Sequence, residues 1–569
     1  MRNAIHRSRP LNFVLLAGSV LLLGSAAHAQ VPVHKHYQET ESFDSKSPSG
    51  AIAPRLQNVG KHTFPVTTKS EQAQRFMNQG LNLTYGFNHA EAGRAFAEAA
   101  RLDPDAAMAY WGQALVLGPN INAPMAGEEE PKALAHIRKA QSLKKKVSQR
   151  ERDYIDALAL RFTGKPEDRA AADQAYAGAM RILHETYPDD LDAATLYAES
   201  VMDLRPWNYW TRDGRPYDQT HDIIKALDGV LAKNPDHPGA LHYWIHLWEA
   251  SNTPEKAEAA AHRLLPLAPG AGHLVHMPGH IYQRVGRYAD AMKSNQMAIL
   301  ADEDYITQCR AQGLYPLGYY PHNVHFLWFA AGMAGQSKIA IDAANKTAQA
   351  VPPEALKELP ILQSFVLPPD YALVRFGKWD EILAAPAPRA DTMFTRGVRH
   401  YARGMAFIRK KNFAAATHEI DTVRKIANDP KLIETPSSMS LNLADSVLKV
   451  AATVLDGEMA AAQGNYEVAI AHLDRAVRYH DNLVYTEPDD WHQPVRHALG
   501  AVLLDAGRPA EAEAVYWEDL RRNPKNGWSL FGLAKALQAQ GKADQAKLVE
   551  ADFKKVWADS DVTLTASRF

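Results

Sequence analysis

Cysteine is almost absent: Cys309 is the only one in 569 residues. A single thiol excludes an internal disulfide and a cysteine-built zinc module. Net charge is nearly absent too, with 63 Lys and Arg against 65 Asp and Glu. The first 29 residues hold Arg2, Arg7 and Arg9 and no acid, which leaves 60 basic against 65 acidic residues, a balance of −5. Nucleic acid and anionic membrane surfaces both demand clustered positive charge, so neither is expected as the main partner. Beyond the N-terminus no apolar run reaches the length of a membrane helix. Also missing are a glycine-rich phosphate loop, an HExxH pair and a serine-centred nucleophile elbow. Two things are plentiful: the hydrophobic share of 46% is ample for a core, and there are 24 histidines against 11 Trp and 14 Met. At roughly 150 residues per domain, the length suggests three or four domains unless a repeat makes that count meaningless.

Residues 1–29 read as a secretory signal peptide. Three arginines precede the apolar stretch 11–23, and Ala27-His28-Ala29 offers small residues at both positions a signal peptidase reads. Cleavage after Ala29 and a periplasmic or secreted location are the expectation. The residue directly after the cleavage point is Gln30, not cysteine, which argues against a lipid anchor.

Residues 30–66 are polar and without helical period, an extended lead-in. After it the chain is Ala-rich, with Gly and Pro as punctuation. In residues 73–106, Phe76, Gly80, Ala92, Phe96, Ala99 and Pro104 fall at unit positions 4, 8, 20, 24, 27 and 32. Small residues at 8, 20 and 27 let two helices approach, large ones at 4 and 24 fill the gaps, and proline stops the second helix. This pattern resembles the tetratricopeptide repeat, a helix–turn–helix of 34 residues. It recurs at 238–271, 272–305 and 493–526, more weakly at 321–354, 397–430 and 450–483, with degenerate or inserted stretches at 118–150, 206–220 and 305–320. The expected fold is therefore all-α: a right-handed solenoid of stacked helix pairs. It divides into N-terminal repeats (67–237), central units (238–354) and C-terminal repeats (355–569). The resemblance implies a concave groove lined by first helices, and peptide binding or scaffolding as the default role.

Four histidines stand in repeat register. His242 and His246 lie four apart on one first helix, and His276 and His280 repeat them 34 residues on. The resemblance places these unit positions in the groove. In the next unit His325 takes the first of these positions, while His322 matches His273. Packed helices lie about 8–10 Å apart, so imidazoles of neighbouring units can share one metal with bonds near 2 Å; two ions are also conceivable. Glu249 follows on the face of His242 and His246, either as a carboxylate ligand or as a group that orients an imidazole. The candidate ligands are therefore His242, His246, His276, His280, His325, His322 and Glu249. The clean units at 73 and 527 carry no such pairs, so duplication alone does not explain the pattern. Pro278 removes a hydrogen bond inside its helix, so the turn around His276 is expected to unwind.

Pocket-lining candidates are His273, the pair Glu199 and Asp203, Trp207 within the aromatic loop 205–216, Tyr319 and Tyr320, and Arg284. Trp491, Arg496 and His497 are read as stabilising the stack, Arg287 as a solvated cation, and Cys309 as a soft ligand in reserve. Imidazole suits Cu, Zn and Fe alike, and the sequence does not choose among them. Three functions stay open: a metal-dependent enzyme acting on a small substrate, a scaffold holding a peptide or protein partner without catalysis, and a metal-delivery protein. Concentration of the histidines in three units favours a local site over an extended peptide track.

Overall fold

The computed structural model describes residues 50–309, 315–386, 388, 392–438 and 442–569; the expected signal segment lies outside the described residues. Among the described residues there is no strand beyond three isolated bridges, and the chain runs as successive helix pairs. The packing reason is visible in the first pair, Glu71–Tyr85 and His89–Leu102. The Ser70 side chain accepts from the Ala73 N–H and that of Asn88 from Glu91, satisfying helix-start donors. A Cβ added at Gly80 or at Gly112 would sit 2.5 Å from the Phe96 ring, so both neighbours must be glycine for that ring to fit. The far end repeats the device, with Gly500 and Gly532 lying against the Tyr516 ring.

The turns inside the units confirm the register. Gly286, Gly335, Gly464, Gly507 and Gly541 occupy one position of their units and all have φ between 72° and 79°. The unit from 397 places Lys411 there (φ 57°), and the first unit places Phe87 (φ 54°). A bulky residue in that conformation is an outlier.

One core runs from Val59 to Leu564, with a smaller cluster around Leu362 and Phe365. Residues 50–66, the described part of the lead-in, contain no helix and join that core. Their backbone N–H groups at Leu56, Phe64 and Val66 donate to Gln79, Asn78 and Gln74 of the first helix, and the Phe64 side chain is fully buried. The helix expected from 272 is interrupted at Pro278 into Gly272–His276 and Pro278–Arg284.

Distant parts of the stack also meet. Arg212 donates to the Asn482 carbonyl (2.8 Å) and Trp528 to that of Gly332 (3.1 Å). These contacts join segments 270 and 196 residues apart in the chain. No helix among the described residues is long and apolar enough to cross a membrane.

Candidate metal centre

The helix Pro238–Glu249 is buried along most of its length and carries His242 and His246 one turn apart, ring centroids 4.7 Å from each other. His273, from Gly272–His276, stands 4.9 Å from His242. One nitrogen from each of these three lies within 4.8 Å of the other two. A second trio, with ligand atoms equally close, comprises His276, His280 and His322. In it the Nε2 atoms of His276 and His280 converge to 2.6 Å. The break at Pro278 thus leaves the two rings facing each other.

What fixes the rings lies behind them. His242 Nδ1 donates to the Tyr85 carbonyl (2.6 Å). His276 Nδ1 donates to Asn295 Oδ1 (2.7 Å), and the Asn295 amide is itself oriented by donating to the Ala291 carbonyl. His246 Nδ1 donates to Glu249 Oε1 (2.6 Å), while the other Glu249 oxygen pairs with His280 Nδ1. Glu487 Oε1 stands 3.1 Å from that same His280 nitrogen. Carbonyl and carboxylate oxygens accept, so His242, His246 and His276 carry their protons on Nδ1 and turn Nε2 inward. Nε2 of His242, Nε2 of His246 and both nitrogens of His273 are buried without a protein hydrogen-bond partner.

Burial lowers the basicity of His242 to about 3 and holds His246, His273, His276 and His322 well below the ordinary histidine value. His280 departs from them: burial opposes its charge, but the Glu487 and Glu249 carboxylates outweigh burial and raise it to about 10. Burial first, then repulsion from Glu487, pushes Glu249 well above the usual carboxylate range. The first trio, His242, His246 and His273, is thus neutral with unpartnered ring nitrogens, the state that binds metal.

Aromatic rings wall the cluster. Phe87 packs on His242 at 4.5 Å and stacks on His246 and His273 at 5.8 and 5.4 Å. Trp207 meets His246 edge-on at 5.2 Å, and Phe326 lies 4.4 Å from His280. A cavity of about 1290 Å³ opens beside the second trio, lined among others by Trp207, Tyr319, His322, Tyr485 and Glu487. Arg284 also lines it, held by the Glu249 and Ser251 carbonyls (2.9 and 3.0 Å), with its guanidinium over Tyr485.

Several sequence-based expectations are relocated. His325 does not join a trio; its ring stacks on Trp328 at 5.1 Å and faces the cavity, and His322 takes the place beside His276. Glu249 touches ring nitrogens on the side away from the convergent Nε2 atoms, the position of an orienting group; Glu249, Glu487 and His246 also form a close set of their own. Glu199 and Asp203 gather around Arg161, with Asp203 Oδ2 2.5 Å from its guanidinium, and Asp203 also lines the cavity as expected. The Tyr320 hydroxyl donates to Glu303 (3.0 Å), away from the cluster, whereas Tyr319 packs 4.8 Å from His273. His497 pairs with Asp519, Arg496 with Asp481, and Arg287 with Glu258 and Asp290. The side chain of Cys309 lies outside the described residues.

Phe87 and Glu487 were not anticipated, nor was a third cluster in which Asp192 accepts from Tyr85 (2.7 Å) and meets His62 and His237 at 2.8 and 3.2 Å. The Asp192 oxygen there is fully engaged. Tyr85 joins it to the first trio, hydroxyl at one end and carbonyl at the other.

The helix pairs keep a 34-residue period, with the turn glycines Gly507 and Gly541 one unit apart. No family model matches the chain, and no curated protein matches it. Among solved structures it is similar to the human IFIT1 dimer with m7Gppp-AAAA, at 13% identity and TM-score 0.31, over 87% of this chain and 92% of that one. It is also similar to Ypp1 (9%, TM-score 0.40, 85% and 80%) and to yeast Tom70 (12%, TM-score 0.27, 85% and 90%).

Proposed function

We propose that this protein is an exported helical-repeat protein whose interior histidines bind a transition metal, and that it acts on a small molecule admitted through the adjoining cavity. The observation that carries the reading is the orientation of the rings: His242 and His246 are tied back through Nδ1, and their buried Nε2 atoms, like both nitrogens of His273, have no protein partner. Buried polar atoms in native proteins are nearly always partnered, and a metal ion is the partner that suits convergent neutral imidazoles. An all-imidazole donor set points to Cu, Zn or Fe and away from Mg or Ca. Trios leave a coordination position open, which catalytic sites retain and structural sites fill. Export is supported by the pattern of residues 1–29.

The repeat fold, taken alone, supports a second reading more directly than it supports catalysis. Solenoids of helix pairs present surfaces to protein or peptide partners, and a scaffold needs no metal. One experiment separates the two readings. Elemental analysis of untagged protein purified from the periplasm, beside a His246→Ala/His280→Ala variant, is expected to give metal in the first and none in the second. No metal in either, even after reconstitution, returns the protein to the scaffold class.

A further inference from the structure

The six histidines do not make one coordination sphere. His242, His246 and His273 form one close set and His276, His280 and His322 another, and no single set contains members of both. The trios are nonetheless neighbours: His246 and His280 have ring centroids 5.8 Å apart, His273 and His276 5.7 Å. Imidazole bonds to metal are about 2.0–2.1 Å long, so one ion serves one trio and leaves the other trio's lone pairs unused.

Two carboxylates stand behind the rings. Glu249 and Glu487 are both drawn to His280 Nδ1, with side chains 0% and 8% exposed. Neither carboxylate has a Lys or Arg partner among the ion pairs described, and Arg284, the nearest cation, is spent on backbone carbonyls.

We propose that the core holds a pair of transition-metal ions, one on each trio, with Glu249 bonded to one ligand of each. This rests on the metal-centre reading above. The two positions are unlike. Phe87 lies against all three rings of the first trio, so its ion is closed in. His322 of the second trio is half-buried and lines the cavity, so the second ion is the one that meets an incoming ligand.

The test uses the full chain, stripped with a chelator, titrated with Cu(II), desalted and analysed for bound copper and for its electron paramagnetic resonance. The expected result is two copper ions per chain with the signature of a magnetically coupled pair. His322→Gln and His242→Gln should each keep one ion and give an uncoupled signal, with circular dichroism reporting that each is folded. One ion in the unaltered chain, or two ions without coupling, overturns the pair and leaves the metal-centre reading standing. No bound copper overturns both. Because the unaltered chain decides the matter, a variant that fails to fold does not protect the proposal.

Discussion

Glu249→Gln is the most searching single substitution, because one carboxylate serves a ligand in each trio. Its Oε1 accepts from His246 Nδ1 at 2.6 Å, and its second oxygen pairs with His280 Nδ1. Glutamine keeps the shape but offers one acceptor and one NH2. One of the two rings then meets a donor where it had an acceptor, and relieves the clash by moving its proton to Nε2, the atom aimed at the metal. Groups behind a metal-bound histidine typically contribute 10- to 100-fold in affinity, equivalent to about 1.4–2.7 kcal/mol. The upper end is expected here, since the substitution disturbs a ligand in each trio. Asn295→Ala, which removes the acceptor behind His276 alone, should fall at the lower end. Competition against a chromophoric chelator measures both, and the melting temperature of the metal-free variant controls for folding. Affinity of Glu249→Gln within about twofold of the parent would refute the orienting role, because such a change is too small for a lost ligand.

Phe96→Ala removes the ring seated between Gly80 and Gly112 and should cost about 3–5 kcal/mol in urea unfolding. Arg161→Met leaves Asp203 and its neighbour Glu199 buried without their cation, for a loss of about 3–5 kcal/mol by the same measurement. Burial raises Asp302 from its ordinary 3.8 to about 7, with Tyr315 and Asn323 donating to it and Glu303 adding repulsion. The folded chain therefore binds this proton more tightly than the unfolded chain, so stability is highest below about pH 4 on this account and declines as pH rises to 7, by up to about 4 kcal/mol. In Asp302→Asn that decline should vanish from a series of melts. Saturating Cu(II) or Zn(II) at about 1,000 times the dissociation constant should stabilise the metal-free protein by about 4 kcal/mol, read as a raised melting temperature.

The repeat was legible because its packing is local. Gly80 and Phe96 belong to the same unit, so spacing alone announces that a ring must lie against a bare backbone. The phase of His242, His246, His276 and His280 was legible for the same reason. Phase failed at His325, because register assumes that every first helix enters the stack alike. The helix Tyr320–Met333 is instead preceded by a wide turn at Tyr315–Tyr319, and His322, near its start, is the residue beside His276. Glu487 was illegible on different grounds: it reaches His280 only because residues far apart in the chain come together, and no period encodes that contact. The same holds for Arg161, whose carboxylates come from elements the sequence gives no reason to pair. Phe87 did carry a signal, an aromatic where most units place glycine.

That replacement connects the fold to the site. A non-glycine residue held in the left-handed region costs about 1–3 kcal/mol and persists only where its surroundings enforce it. Lys411 occupies the corresponding turn with its side chain in solvent, whereas Phe87 is 2% exposed and its ring touches three histidines. Glycine at that position would relieve the backbone and leave the first trio open on one side. The inward Nε2 atoms impose a cost of their own, since a buried acceptor without a partner forfeits about 1–3 kcal/mol. Strain and unmet polarity therefore fall on the same few residues. Better-packed apolar side chains there would make a more stable solenoid, so retention of both costs is intelligible if an occupant of the centre offsets them, and a bound ion satisfies the lone pairs that Phe87 shuts away from water.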